Sequence, residues 1–231
     1  MPLVKTKQTR KTRKQVPRMK ITFTRKVHEY DDVYSFFFDA TGVKYRAGQY
    51  THLRVGGALD FFLGSIRELS FASAPGDPEL MFSMHVGSKS KFKEKMSALQ
   101  PNDKISLFGT GAHIKLPESR PASLVFIAGG VGMTPFRSMI LEAHKAGNYP
   151  MTLVQVQRGD FLYRKELKPL VSDYNAVRPE AFVDTVKNVA RGRSDDVIFY
   201  VCGSSRLIAS VVEALNEAGV EKDSIQIENY K

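Results

Sequence analysis

The clearest candidate for chemistry is the segment Gly129–Pro135, which reads Gly-Gly-Val-Gly-Met-Thr-Pro and follows a continuous apolar run. Glycine has no Cβ, so these residues let the backbone turn sharply and let a ligand approach its N–H groups. Thr134 is expected to cap a following helix, and Pro135 fits the first turn of that helix. A helix N-terminus favours an anion through its unpaired N–H groups and its dipole. The segment therefore predicts a site for a phosphate-bearing ligand, with a purely structural turn as the alternative.

A second candidate is Cys202-Gly203, which follows the buried run Val197–Val201 and precedes a helical pattern. In an open α/β sheet, ligands bind at the carboxyl ends of the strands. Cys202-Gly203 is therefore expected at the same sheet edge as Gly129–Pro135. A lone cysteine also fits a small buried residue, and that alternative stays open.

Composition excludes several other kinds of site. Cys202 is the only cysteine, which excludes an internal disulfide and an iron–sulfur cluster held by four thiolates. The five histidines are scattered without zinc-ligand spacing, so no metal is expected. No apolar run approaches the about 20 residues that a membrane helix needs, and no signal peptide is apparent. The simplest interpretation is a cytoplasmic protein without stable membrane insertion.

Most of the net charge of +10 lies at the N-terminus, where residues 1–20 carry eight basic and no acidic side chains. The rest of the chain carries 26 basic and 24 acidic side chains. Residues 1–18 are expected to form a disordered basic tail, because they have almost nothing to bury. The tail is either an arm for an acidic partner or a solvated extension. The remainder lacks the features of a nucleic-acid-binding domain, so no nucleic acid is expected.

The elements that would position these candidates fall into two halves. In residues 19–117, short apolar runs alternate with turn signals and predict six strands of a small antiparallel β-barrel. The runs are Ile21–Val27, Val33–Phe38, Tyr50–Val55, Leu69–Ala72, Leu80–Val86 and Ile105–Phe108. Lys91–Leu99 instead has helical spacing, with Ser90 as its expected N-cap.

In residues 122–231, continuous apolar runs are followed by glycines and helical patterns, which predicts an α/β doubly wound parallel sheet. The expected strands are Leu124–Ala128, Met151–Val156, Val197–Val201 and Ile225–Ile227. The first helix is expected to bury Phe136, Met139, Ile140 and Ala143, and the second to bury Leu207, Ile208, Val211, Val212 and Leu215. The domain boundary is expected within Lys115–Pro121.

Six motifs in order along residues 19–231 resemble those of the ferredoxin–NADP reductase superfamily. They are Ala47–Tyr50, similar to its P-G-Q-Y strand; Arg67–Ser70, similar to its R-x-Y-S flavin motif; Gly87–Ser90, similar to its pyrophosphate-binding turn; Gly129–Pro135, similar to its G-G-x-G-x-T-P nicotinamide motif; Tyr200–Gly203, similar to its Y-x-C-G motif; and Glu228–Tyr230, similar to the C-terminus of some members. Any one motif is weak, but six in order are strong.

The resemblance implies that the barrel binds FAD. Arg67 would pair with the flavin pyrophosphate, Ser88 and Ser90 would hold it, and Tyr230 would stack on the flavin ring. The implied FAD-binding residues are Arg67, Glu68, Leu69, Ser70, His85, Val86, Gly87, Ser88, Ser90 and Tyr230. As alternatives, Arg67 is a surface ion-pair partner and Ser70 an outward-facing strand residue.

The resemblance also implies that the α/β half binds NAD(P)H. The implied NAD(P)-binding residues are Gly130, Val131, Gly132, Met133, Thr134, Pro135, Arg158, Cys202 and Gly203. Three residues would take part in catalysis: Ser70 would bond flavin N5, Cys202 would pack near the nicotinamide, and Glu228 would relay a proton. Glu228 as a solvated terminal acid is the alternative.

One residue of the flavin motif departs from the family pattern, and two residues after the second strand of the α/β half give opposite indications of the dinucleotide. Leu69 stands where the family usually has an aromatic residue that packs on the flavin, so aromatic stacking is lost. After the second strand of the α/β half, Arg158 would hold a 2′-phosphate, whereas Asp160 would hold a ribose hydroxyl. The sequence therefore leaves the choice between NADH and NADPH open.

The implied activity is that of an NAD(P)H-dependent flavin oxidoreductase. Hydride would pass from the nicotinamide to FAD, and electrons would then pass to an acceptor such as ferredoxin, flavodoxin, free flavin or a quinone. The expected partner is thus a small electron-carrier protein or a small-molecule acceptor. The alternative is a flavin-binding electron-transfer subunit of a larger complex without independent turnover, which Leu69 favours.

Overall fold

The computed structural model describes residues 18–56, 65–88, 90–119, 121–147, 149–193 and 196–229. Residues 1–17 of the predicted basic tail and the predicted ring-stacking residue Tyr230 lie outside the described residues. None of the helices in these ranges has the length and apolarity needed to cross a membrane.

The first half of the chain forms a six-stranded antiparallel sheet with the order β4-β3-β6-β1-β2-β5. Its strands are β1 (Met19–Tyr30), β2 (Val33–Asp39), β3 (Tyr50–Arg54), β4 (Ile66–Ser70), β5 (Glu79–His85) and β6 (Lys104–Gly111). The two edge strands approach each other, because the N–H of Ala72 just after β4 donates to the carbonyl of Met81 on β5. The sheet is therefore barrel-like, as the sequence predicts.

Helix α1 (Lys91–Ser97) packs Phe92 and Met96 into the core of the barrel-like sheet, as the predicted helical spacing requires. Ser90 occupies the N-cap position, but its side chain makes no capping hydrogen bond to the described turn of the helix. The prediction of Ser90 as the N-cap residue is therefore confirmed, although its hydroxyl does not bond to the helix. Its hydroxyl instead lies 3.4 Å from Nη2 of Arg67, which donates to it.

The second half forms a five-stranded parallel sheet with the order β11-β10-β7-β8-β9. Its strands are β7 (Ser123–Gly129), β8 (Met151–Val156), β9 (Asp173–Val177), β10 (Val197–Gly203) and β11 (Ile225–Asn229). Its helices are α2 (Met133–Lys145), α3 (Arg164–Leu167), α4 (Pro179–Ala190) and α5 (Ser205–Glu217). Because buried clusters lie on both faces of the sheet, its central strands β7 and β10 are mostly apolar.

Helix α2 begins at Met133, earlier than the glycine pattern suggests. Residues Gly130–Gly132 form a 3-10 turn, and Gly132 is the N-cap of α2. Thr134 therefore lies inside the first helical turn and donates its hydroxyl to the carbonyl of Val131 at 2.7 Å. The prediction that Thr134 caps the helix is wrong, whereas the expected buried face is confirmed, with Phe136, Met139, Ile140 and Ala143 all buried.

The two halves share one hydrophobic core cluster. Tyr30, Ala72 and Met81 of the barrel half pack in the same cluster as Phe136 and Met139 of α2. Arg137 of α2 strengthens this junction. Its Nη1 donates to the carbonyl of Ala72 at 2.7 Å, and its Nε and Nη2 pair with both carboxylate oxygens of Glu166 on α3. The barrel-like sheet and the parallel sheet are thus joined by apolar packing and by the hydrogen bond from Arg137 to Ala72.

Candidate functional site

The glycine segment at the end of β7 is packed closely against the end of β10. A Cβ at Gly132 would lie 2.5 Å from the carbonyl oxygen of Cys202, so only glycine fits without a backbone shift. Gly130 has a φ of 54°, in the left-handed region that favours glycine. These contacts explain two glycines of the segment as packing and backbone requirements. They also bring Gly129–Pro135 and Cys202-Gly203 to one sheet edge, as predicted.

The end of β5 approaches this edge from the barrel side. His85 Nε2 lies 3.9 Å from the position that a Cβ on Gly130 would occupy. His85 Nδ1 is hydrogen-bonded to Asp32 at 2.7 Å, and the second oxygen of Asp32 accepts from the N–H of Gly87 at 2.9 Å. The hydrogen bond from His85 is the largest cause that lowers the pKa of Asp32, and the N–H of Gly87 adds to it. Asp32 therefore fixes the turn that the sequence predicts as pyrophosphate-binding.

The predicted pyrophosphate residues lie beside that turn. The exposed guanidinium of Arg67 contacts the hydroxyl of Ser90 and the carbonyl of Ile66, and it makes no ion pair with any residue in the described ranges. Ser88 is exposed, and Val86 is anchored by a hydrogen bond from its N–H to the carbonyl of Asp32. Because Arg67 has no acidic partner among those residues, the surface ion-pair alternative receives no support.

The remaining residues of the Arg67–Ser70 motif differ in how deeply they are buried. Ser70 is 2% exposed, which contradicts the alternative of an outward-facing strand residue. Leu69 is half-buried and packs against the core of the barrel. An aliphatic side chain therefore occupies the position where the family usually has an aromatic one. Glu68 is exposed, and its Oε2 lies 3.6 Å from His52 Nε2.

Glu228 on β11 is 2% exposed, so the alternative of a solvated terminal acid is wrong. It pairs in register with Cys202 on β10. Burial raises the pKa of Glu228 to about 7 and the charge of Glu68 adds to the rise, whereas the backbone N–H of His113 opposes it. The thiol-bearing Cys202 is fully buried, as expected for a small residue in a packed strand end.

The segment after β8 holds the two residues that bear on dinucleotide choice. Arg158 and Asp160 are both exposed. The guanidinium of Arg178 donates to the carbonyls of Gln157, Arg158 and Gly159, and so fixes the backbone of this segment. Arg158 is thereby presented on a defined turn with its side chain exposed.

Sequence reasoning did not find three residues that shape the site. Asp32, His113 and Arg178 act on segments that are distant along the chain, so no local spacing marks them. Arg178 alone carried a signal that was not used, because it precedes Pro179 and proline is favoured at the first position of a helix.

Known proteins resemble this chain in sequence and in fold. Residues 126–193 match the family model described as "Oxidoreductase NAD-binding domain". The chain is 26% identical over 220 residues to ferredoxin–NADP reductase B of Sorangium cellulosum, a match that covers 83% of this chain and 88% of that protein. A ferredoxin NADP⁺ reductase from Neisseria gonorrhoeae, solved with bound FAD and NADP, has the same fold, with a TM-score of 0.75, 16% identity and coverage of 92% and 98%. The chain is therefore similar to ferredoxin–NADP reductases in sequence and in fold.

These similarities confirm the predicted class of NAD(P)H-dependent flavin oxidoreductase and its expected cofactors, FAD and NAD(P)H. Some relatives are much longer than this chain. One component of the Na⁺-translocating NADH-quinone reductase of Marinomonas is 24% identical over 199 residues, which cover 71% of this chain and only 48% of that protein. The similarities therefore support general electron-transfer chemistry, and they do not define the acceptor.

Proposed function

We propose that this chain is a reductase that takes a hydride from NAD(P)H into bound FAD and passes the electrons to a small carrier protein or a small-molecule acceptor. The observation that supports this most is the meeting of motifs from the two halves. A carboxylate oxygen of Glu68, in the flavin motif of β4, lies within 4.8 Å of one of Glu228 on β11. Glu228 in turn pairs with Cys202, whose carbonyl contacts Gly132 of the nicotinamide motif.

The residues around Arg67 fit the pyrophosphate of FAD. A guanidinium without an acidic partner in the described part of the chain stands beside the Ser90 hydroxyl, and both groups suit phosphate oxygens. Asp32 holds the adjacent turn at Gly87, so these donors are positioned before any ligand arrives. When bound, FAD would supply an acceptor of two electrons that can release them singly or as a pair.

The protein's own residues would orient and stabilise rather than react. Arg67 would neutralise phosphate charge, and Ser70 would offer a hydroxyl to the ring atom that takes the hydride. Gly130 and Gly132 would let the dinucleotide approach the backbone at the N-terminus of α2. Glu228, whose pKa is raised to about 7, would hold a proton near neutral pH.

Flavin retention and reduction test this function. The full-length chain, mixed with FAD and desalted, is expected to keep a flavin spectrum that NAD(P)H bleaches in anaerobic stopped flow. Arg67→Ala should lose the flavin, whereas Arg191→Ala, at an exposed arginine at the end of α4, should keep it. Ser70→Ala should bind flavin and slow its reduction by roughly tenfold to a hundredfold, since one positioned donor is lost. A chain that retains no FAD would refute the proposal.

A second candidate is an electron-transfer subunit that needs a larger complex for turnover. Leu69 favours it, because an aliphatic side chain in place of an aromatic one changes the packing expected on the flavin. Steady-state consumption of NAD(P)H with ferricyanide separates the two. Brisk turnover by the isolated chain supports the reductase, and flavin binding without turnover supports the second candidate.

Arg158 provides the test of the preferred dinucleotide. Arg158→Ala should lower the ratio of kcat/KM for NADPH to that for NADH about tenfold, because one charge-assisted hydrogen bond of about 1.5 kcal/mol to the 2′-phosphate is lost. Arg191→Ala is the matched control and should leave the ratio unchanged. An unchanged ratio in Arg158→Ala would exclude Arg158 from recognition of the 2′-phosphate.

A further inference from the structure

Three potential metal ligands meet at the junction between the barrel-like sheet and the parallel sheet. They are Glu68 on β4, His113 just after β6 and Glu228 on β11. One ligand atom from each residue lies within 4.8 Å of those from the other two. The three positions are far apart in sequence, so a search for metal-ligand spacing along the chain could not have found them.

The state of Glu228 points independently to a missing ligand. The residue is 2% exposed, yet its Oε2 has no hydrogen-bond partner within the described ranges. Burying a carboxylate oxygen without a partner is costly, so such an atom calls for an occupant. Glu68 lies close by but is not that partner, because Oε2 of Glu228 makes no hydrogen bond to any described residue.

The surroundings hold the other two ligands in place. The ring of His113 stacks on Tyr50 with centroids 5.2 Å apart, which limits its rotation. The N–H of the same residue faces the Glu228 carboxylate and fixes the two residues relative to each other. Glu68 lies on a paired strand, opposite His52 in register. One imidazole and two carboxylates are thus presented on ordered backbone from three elements.

We propose that Glu68, His113 and Glu228 form a binding site for a divalent transition-metal cation of the zinc type. Zinc takes imidazole nitrogen and carboxylate oxygen at about 2.0–2.2 Å, so ligand atoms around one ion lie at most about 4 Å apart. The observed cluster reaches that geometry through small movements of the two exposed side chains. Two carboxylates also balance the charge of the ion. The imidazole favours zinc over magnesium, which prefers oxygen ligands in octahedral geometry.

Binding at this site would join the two halves of the molecule. Glu68 belongs to the barrel-like sheet and Glu228 to the parallel sheet, so one ion would cross-link them. A ligand that binds only the folded state stabilises it by mass action. The site shares Glu228 with the proposed proton relay, but the test of zinc binding requires no NAD(P)H.

Calorimetric titration of the full-length, tag-free chain with zinc tests the site, with any flavin left as purified and metals first removed by a chelator. We expect one zinc per chain and a rise in the melting temperature that the chelator reverses. Glu68→Gln and His113→Ala change exposed residues and should fold normally by circular dichroism. Each should weaken binding by more than about tenfold.

Two matched controls lie elsewhere on the surface. Glu94→Gln on α1 and His144→Ala on α2 change exposed residues of the same types and should bind zinc like the unaltered chain. Magnesium should bind far more weakly than zinc. Absence of saturable zinc binding would overturn the proposal, and so would unchanged binding in both Glu68→Gln and His113→Ala, because the ion would then lie elsewhere.

Discussion

At the scale of single residues, Gly129 and Gly132 at the sheet edge differ in which atoms an added Cβ would contact. A Cβ at Gly132 meets the backbone carbonyl of Cys202, which cannot move without shifting β10. A Cβ at Gly129 meets chiefly the methyl end of Leu207, a flexible side chain. The two positions are three residues apart and so form a matched pair.

Gly132→Ala is therefore expected to lower the free energy of unfolding by about 1–3 kcal/mol, whereas Gly129→Ala should cost less, because a rotamer change relieves its contact. Gly132 has a φ of −57°, so backbone strain plays no part in the difference. Urea unfolding of the two variants measures it. Equal losses would show that the carbonyl of Cys202 does not restrict Gly132.

Asp32 allows a prediction of pH dependence. Its hydrogen bonds with His85 and Gly87 lower its pKa in the folded state below the ordinary value of 3.8. The stability that it contributes is thus present above about pH 4 and is lost as the pH falls through the lowered pKa. The side chain is 43% exposed, so the contribution is expected to stay below about 1 kcal/mol.

Asp32→Asn should accordingly be less stable than the unaltered chain at pH 6, and the gap should narrow as the pH is lowered toward 3. Urea midpoints at several pH values provide the measurement. A gap that stays constant with pH would mean that Asp32 acts through packing alone.

At the scale of elements, Arg137 of α2 makes a polar contact between the two halves. Only 13% of its side chain is exposed, and its fork bonds Glu166 while the third donor reaches the carbonyl of Ala72. Lysine keeps the charge but offers no planar fork. Arg137→Lys should therefore lower the free energy of unfolding by about 1–3 kcal/mol.

The matched control is Arg191→Lys, at an exposed arginine on the surface, which should change stability by less than about 0.5 kcal/mol. Guanidinium chloride unfolding would compare the two variants. A loss in Arg137→Lys no larger than in the control would show that the fork to Glu166 and Ala72 contributes little.

The elements that the sequence predicts are those whose signal is local. Continuous apolar runs mark β7 and β10, because both strands are buried on both faces. Helix α4 was not predicted, although Phe182, Val186 and Ala190 recur at four-residue spacing and are buried. Strand β9 was also missed, since Asp173–Val177 is polar and only half-buried at the sheet edge.

The parts of the candidate site that glycine spacing and motif order mark could be predicted from the sequence. The parts that form where distant segments of the chain meet could not. Nothing local shows that Asp32 holds Gly87, or that His113 lies against Glu228. The burial of Glu228 could not be predicted from β11 either, because it lies between two exposed residues, Ile227 and Asn229. Its placement depends on the junction of the two sheets rather than on β11 itself.

At the scale of the whole molecule, the shared core cluster couples the two halves. Met139 of α2 lies against Gly48 of the barrel half, and Tyr163 donates its hydroxyl to Ser83 on β5. Cutting the molecule between the sheets would expose apolar surface on both sides, so neither half can unfold without cost to the other.

Calorimetry is therefore expected to show a single unfolding transition, with equal calorimetric and van't Hoff enthalpies. Met139→Ala should lower that one transition without splitting it, since the residue contributes to the core that both halves share. Val183→Ala, at a side chain that is 38% exposed on α4, is the control and should shift it little. Two separate transitions in the unaltered chain would refute the coupling.

The shared core also limits how this protein can be recombined with others. A fragment that begins at Ser123 would leave Phe136 and Met139 facing water, and the complementary fragment would uncover Tyr30 and Met81. Such apolar faces promote aggregation. A chimaera that borrows only the dinucleotide-binding half should therefore precipitate, whereas one that transplants both sheets together should remain dispersed. The two sheets would therefore have to be exchanged together, as a single unit.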